Sequence, residues 1–350
     1  MDEKCAQGLR HGQGGSELVG NTALSVKAVT EIFAALLMAT VGVTGCGASP
    51  QEGGLSEKQT PTSELKQTAA KMPLSSAPAL GASVKLNSGY EMPLLGLGTW
   101  TQSDDTAEES VYFAIKNGYR LIDTARYYDN EIGVGRGVRR AISEGIISRE
   151  EIFVTSKVMP GDYYRPDAAI DDSLQRLGFG YIDLMLVHQP GANDEEVYRA
   201  LERGVRAGKI RSIGISNYYT PESFERINRI AEIVPAVVQN ENHPFYQNKD
   251  LQEYLRQYGT VVESWYPLGG RGHTREILEN DTILNIAKSH EKTAAQIVLR
   301  WHLQDGYITV PGSSNPEHIA ENADIFNFAL SEEEMQQIRE LNIRHRFENW

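Results

Sequence analysis

The chain has 350 residues, 40% of them apolar, and a formal net charge of −13. That much apolar side chain can close a substantial core, which excludes a wholly disordered protein. Nucleic-acid binding needs clustered Lys and Arg, and no such run occurs, so that partner class is excluded too.

Residues 1–82 differ in texture from the rest of the chain, being rich in Gly, Ser, Ala, Thr and Gln. Their one strongly apolar run, AVTEIFAALLMATVGVTG at residues 28–45, is short for a membrane span and ends in small residues before Cys46. Val43-Thr44-Gly45-Cys46 resembles the lipobox of bacterial lipoproteins, in which the cysteine is lipidated and becomes the mature N-terminus. The resemblance implies a leader over 1–46, a lipid on Cys46 that anchors the protein to a membrane outside the cytoplasm, and a flexible tether over 47–82. Glu31 inside the apolar run and the long stretch before it argue the other way, and an unprocessed leader leaves the protein in the cytoplasm. The cysteines are Cys5 and Cys46, so the region 83–350 holds neither a disulfide framework nor a cysteine metal site.

From Ser83 the pattern is that of a packed domain. VKLNSGYEM predicts a hairpin turning at Asn87-Ser88-Gly89. Eight strand candidates follow: LLGL (94–97), YRLID (119–123), EIFVTSK (151–157), YIDLMLVH (181–188), IRSIGIS (210–216), PAVVQNE (235–241), GTVVESW (259–265) and YITVP (307–311). Amphipathic segments such as AEESVYFAIKNG and PDAAIDDSLQRLG lie between them, several ending in a glycine suited to a helix C-terminus. Eight alternations in one domain predict a (β/α)8 TIM barrel of the α/β class with an N-terminal β-hairpin. A doubly wound sheet is the competitor. No glycine-rich loop follows the first strand, and Gly133-Val134-Gly135-Arg136-Gly137 lies within a helical pattern, so it is not taken as a phosphate loop.

In such a barrel, function gathers at the C-terminal ends of the strands. Asp123 ends the second strand, Lys157 the third and His188 the fourth, and Tyr128 follows in the loop after the second. An ammonium at Lys157 can lower the pKa of the Tyr128 phenol, Asp123 can hold that ammonium, and His188 can bond to a carbonyl oxygen as it gains negative charge. Singly each has an ordinary reading: helix cap, rim aromatic, surface charge, strand-end residue. Together and in strand order they form an acid without a protein nucleophile, and no histidine pair is spaced for a metal. An acid that protonates a carbonyl needs hydride from a nicotinamide cofactor.

The chain from about Val84 to Trp350 resembles the aldo-keto reductases. GLGTW (96–100), GYRLIDTARYYDNE (118–131), TSK (155–157), LVHQP (186–190), GKIRSIGISN (208–217), QNENHP (239–244), WYPLG (265–269) and PGSSNPEHIAEN (311–322) stand in that family's order. The resemblance implies reduction of aldehydes and ketones to alcohols by a monomer. Tyr128 is then the general acid, Asp123 and Lys157 tune it, and His188 orients the carbonyl. It further implies that Ser216, Asn217 and Gln239 bind the nicotinamide carboxamide and that Trp265 stacks on its ring. Tyr266 and Leu268 line the pyrophosphate, and Glu321 and Asn322 bind adenine.

Two departures bear on cofactor and substrate. Where the family places a lysine and an arginine against the 2′-phosphate of NADP, this chain has Gly312 and His318, with Ser313, Ser314 and Asn315 as neutral donors. NADP(H) is expected, with NAD(H) as the alternative. Gln189 stands where many members carry tryptophan, the loop to Asp194 is short, and only three residues follow Phe347. An open pocket for small aldehydes, dicarbonyls or keto sugars is expected, with Trp100 as its aromatic wall. A cofactor-binding sensor or scaffold without turnover and a solute-binding lipoprotein are the rival classes. Neither explains the four polar residues.

Overall fold

The computed structural model describes residues 81–349. The leader, Cys46 and the tether up to residue 80 lie outside the described residues. The hairpin consists of β1 (Ser83–Lys85) and β2 (Glu91–Pro93), with Val84 opposite Met92. Gly89 takes φ +91 at the turn, a conformation that favours glycine. Asn87 donates to the carbonyls of Pro235 and Tyr258, and Ser88 bonds Ser212, so the hairpin covers the ends where strands enter the sheet. The exit ends are left open.

Eight parallel strands form the sheet: β3 (Leu97–Gly98), β4 (Leu121–Asp123), β5 (Phe153–Val158), β6 (Ile182–Val187), β7 (Ile210–Ser216), β8 (Val237–Glu241), β9 (Val261–Trp265) and β10 (Ile308–Thr309). Each pairs with its neighbours in chain order. Thr309 donates to the Leu94 carbonyl at 3.0 Å and Gly96 to that of Thr309 at 2.9 Å, so the last strand meets the first and the barrel closes. All eight expected strands are present. Strands β5, β6 and β8 are buried at every position, as a parallel sheet covered by helices requires.

The outer layer is α1 (Asp104–Lys116), α2 (Glu131–Ser143), α3 (Pro166–Leu177), α4 (Asp194–Arg206), α5 (Pro221–Asn228), α6 (Lys249–Leu255), α7 (Thr274–Leu278), α8 (Asp281–His290), α9 (Ala294–Gln304), α10 (Pro316–Ala323) and α11 (Glu332–Arg339). Their ends follow capping chemistry: Ser103, Thr220, Thr293 and Ser331 accept backbone N–H bonds at helix starts, and Gly178 ends α3 at φ +69. Among the described residues no helix is long and apolar enough to cross a membrane.

The glycines of α2 serve packing. A Cβ on Gly133 would lie 2.0 Å from the Asp104 carbonyl oxygen, and one on Gly135 would lie 2.2 Å from that of Leu177. They let α2 press against the start of α1 on one side and the end of α3 on the other.

Candidate active site

Asp123 closes β4, Lys157 is the next-to-last residue of β5, and His188 follows β6. Tyr128 ends a single 3₁₀ turn, Arg126–Tyr128, just after β4. The segment LIDTARYYDNE folds this way because its last residues staple it down. Asn130 accepts from Thr124 at 2.7 Å and donates to the carbonyls of Thr99 and Gln102, and Glu131 accepts from Ser156 at 2.6 Å. Both are buried, so the phenol is carried on a loop with fixed ends.

Lys157 is fully buried and gives all its N–H bonds to this site. It donates to both oxygens of Asp123 at 2.8 Å, to the Thr124 carbonyl at 2.9 Å and to the Tyr128 oxygen at 3.1 Å. Burial alone would lower its pKa, but Asp123 and Tyr128 outweigh that and hold the ammonium above the ordinary lysine range. The expected lowering of the phenol is only part of the balance. Burial raises the Tyr128 pKa to about 12 while Lys157 pulls it down, and burial wins. The phenol therefore rests protonated.

His188 stands beside this pair, its ring 5.8 Å from that of Tyr128 and steeply inclined to it. Its Nδ1 is buried without a partner. Burial, aided by the Lys157 charge, pushes its pKa down to about 3, so the imidazole is neutral at physiological pH.

These side chains line one end of a groove of about 1370 Å³. Asp123, Tyr128, His188, Ser216, Asn217, Gln239, Trp265, Tyr266, Leu268, Ser313, Ser314, His318, Glu321, Asn322 and Trp100 all reach it. Lys157 acts from behind Tyr128. Asn315 does not line the groove, because its side chain caps α10 by accepting from the Glu317 N–H at 2.9 Å.

The middle of the groove fits a nicotinamide carboxamide. Gln239 Nε2 donates to Asp123 and to Glu263, each at 2.7 Å, which leaves its carbonyl oxygen to accept an N–H. Ser216 Oγ accepts from Asn217 at 3.3 Å and keeps its own proton for a ligand carbonyl. Asn217 takes φ +67 and bonds the His188 carbonyl, which ties this subsite to the histidine. Trp265 offers a partly exposed ring beside them. Among the described residues no group of three or more metal-ligating side chains gathers.

Two features escaped the sequence reading. Tyr127 stacks on Trp100 with centroids 5.5 Å apart and stands 48% exposed, so the aromatic wall has two rings rather than one. The Tyr127-Tyr128 doublet was the available signal. Glu263, fully buried in β9, faces Gln239. Its signal was a carboxylate in the middle of the apolar run VVESW.

The family model for the Aldo/keto reductase family matches residues 94–343. Glyoxal reductase of Bacillus subtilis (strain 168) is 44% identical over 268 residues, covering 75% of this chain and 94% of that protein. NADH-dependent D-xylose reductase of Candida parapsilosis is 36% identical, covering 76% of this chain and 94% of the relative. Among solved structures, the Bombyx mori aldo-keto reductase in complex with NADP superposes with a TM-score of 0.72 at 32% identity, over 78% of this chain and 95% of that one.

With an eight-stranded barrel whose open mouth gathers an acid, a cation and a neutral imidazole, the chain belongs to the aldo/keto reductase family. Its activity is NAD(P)H-dependent reduction of carbonyl groups.

Proposed function

We propose that Tyr128 is the proton donor of this reduction, that NADPH is the preferred cofactor, and that the substrates are small aldehydes, dicarbonyls and keto sugars. The observation that carries this reading is the Lys157 ammonium, held by Asp123 and bonded to a protonated phenol at 3.1 Å. Bound nicotinamide supplies the hydride. The protein's part is then to place and charge-balance the carbonyl. Neutral His188 donates a hydrogen bond to the carbonyl oxygen from the nitrogen facing the groove, and Tyr128 gives that oxygen its proton. As the phenol loses the proton, Lys157 stabilises the phenolate, and Asp123 keeps the lysine charged. Trp100 and Tyr127 form a flat apolar wall at an open mouth, which suits small substrates.

NADPH is favoured by the hydroxyls of Ser313 and Ser314 and by the positive end of the α10 dipole beside them, which suits a phosphate. His318 is exposed on the first turn of the same helix and lines the groove. We infer that the preference over NADH is modest, because Gly312 supplies no side-chain cation to the 2′-phosphate. Gly312→Lys combined with His318→Arg is expected to tighten NADPH about tenfold or more, on the scale of charge-assisted hydrogen bonds, and to leave NADH unchanged. Titration of both cofactors by tryptophan quenching tests it. A preference for NADPH above about a thousandfold (~4 kcal/mol) at pH 8 in the unaltered protein would mean that other groups hold the 2′-phosphate.

We further propose that the enzyme is a monomer anchored through a lipid on Cys46. The support is the lipobox-like Val43-Thr44-Gly45-Cys46. Cell fractionation with mass measurement of the mature N-terminus tests the anchor. A soluble chain with an intact leader would leave it a cytoplasmic enzyme.

A further inference from the structure

Glu263 is a buried carboxyl group that carbonyl reduction by the four polar residues leaves unused. It lies in the middle of β9, fully buried, with one oxygen accepting from Gln239 Nε2 at 2.7 Å and the other without a partner. The same amide nitrogen gives its second hydrogen to Asp123, also at 2.7 Å. Two carboxyl groups from opposite parts of the barrel therefore meet on one amide. The titratable groups facing Glu263 are Asp123 from β4, Lys157 from β5 and Tyr128 from the loop after β4. The neighbouring strands contribute neutral groups there, Gln239 from β8 and Ile308 with Thr309 from β10. One lysine stands against two carboxyl groups.

We propose that Glu263 is a positioning residue that sets the charge of the cluster behind the nicotinamide subsite. When ionised it favours the oxidised cofactor, and when protonated it favours the reduced one. The proposal rests on the reading of the groove as the cofactor site. The reduced nicotinamide ring is neutral and the oxidised ring carries one positive charge. With Glu263 protonated, Asp123 and Lys157 cancel, which suits a neutral ring. With Glu263 ionised, the cluster has a net charge of about −1, which suits a cationic one. Burial, with Asp123 adding to it, raises the Glu263 pKa to about 8, so both states lie within reach of ordinary pH.

The coupling is reciprocal: if ionised Glu263 strengthens binding of the oxidised ring, that ring must lower the pKa of Glu263. In the reaction the hydride moves from the ring to the carbonyl carbon and the Tyr128 proton moves to the carbonyl oxygen. The Glu263 proton is separate from both. It passes to water as the positive ring forms and is recovered when reduced cofactor binds again.

Dissociation constants of NADP+ and NADPH, measured by equilibrium dialysis between pH 6.5 and 9.5 on the full chain and on Glu263→Gln, test this. Taking the ratio of the two cancels every group that contacts both forms alike, His318 and its phosphate included. In the unaltered protein the NADP+/NADPH ratio of dissociation constants is expected to fall on the order of tenfold as pH rises through about 8. Binding of NADP+ should then release protons, seen as a buffer-dependent heat. Glu263→Gln keeps the shape and an amide partner for Gln239, and its ratio is expected to be flat. A pH-independent ratio in the unaltered protein overturns the proposal even if the variant does not fold, and so does an equal slope in both proteins. If the unaltered protein binds neither cofactor, the assignment of the groove falls first and this proposal with it.

Discussion

A phenol donates its proton at neutral pH only if the phenolate left behind is stabilised, and the mechanism proposed for Tyr128 gives that duty to Lys157, whose ammonium bonds the phenol oxygen at 3.1 Å. Tyr128→Phe is expected to lower kcat by about 10²–10⁴-fold, the usual contribution of a general acid, while the dissociation constant for NADPH stays within about twofold. Stopped-flow turnover beside a cofactor titration checks both halves. Lys157→Met should cost activity too, but its mark is in pH dependence. With the ammonium gone, the pull that lowers the phenol is lost, so the alkaline limb of the kcat profile is expected to move to higher pH. An unmoved limb would separate the lysine from the acid. These four residues were legible because strand ends in a barrel converge whatever the rest of the chain does. Glu263 left only the trace of a carboxylate inside VVESW, which does not reveal that it shares the Gln239 amide with Asp123 across the barrel.

At the scale of elements, helix α2 is where packing is least tolerant. Gly133 offers no room for a side chain against the Asp104 backbone, and Asp104 also accepts its N–H at 2.6 Å. Gly133→Val is expected to destabilise the fold by about 3 kcal/mol, the upper part of the overpacking range, read from the shift in a denaturant midpoint. Gly145, just after the same helix, has φ +72 and nothing within 4 Å of an added Cβ. Gly145→Ala should therefore cost only the left-handed strain, about 1 kcal/mol. Equal losses at both sites would show that close helix contact is not what holds α2. The helical character of this stretch could be read from its periodicity. Its glycines gained their meaning only when α1 and α3 were in view.

For the molecule as a whole, acid should weaken the fold through His188. Its folded pKa, about 3, lies below the value of about 6.5 for an unfolded histidine. Below pH 6.5 the unfolded chain therefore binds the proton that the native site refuses, and stability drops as pH falls from about 6.5 towards 3. This one group contributes a slope of up to about 1.4 kcal/mol per pH unit, reduced by the part of the ring that meets solvent. Denaturant midpoints between pH 7 and 4 measure it, and His188→Asn should flatten that part of the curve. The imidazole signals of His188 should also show no protonation between pH 8 and 5.

The sequence alone determined the hairpin, the eight strands, their order and the mouth at which function gathers. Those follow from local periodicity, turn chemistry and a topology that leaves a parallel alternation few ways to fold. It also marked most of the groove, because motif residues sit at fixed offsets from strand ends. Only the tertiary structure decided how the groups act on one another. The protonation of Tyr128 depends on burial beating the nearby lysine. Tyr127 doubled the aromatic wall, and Glu263 joined the buried titratable groups. Each of these is an interaction between residues brought together by barrel closure, and its strength depends on distance and desolvation, which no spacing along a chain encodes.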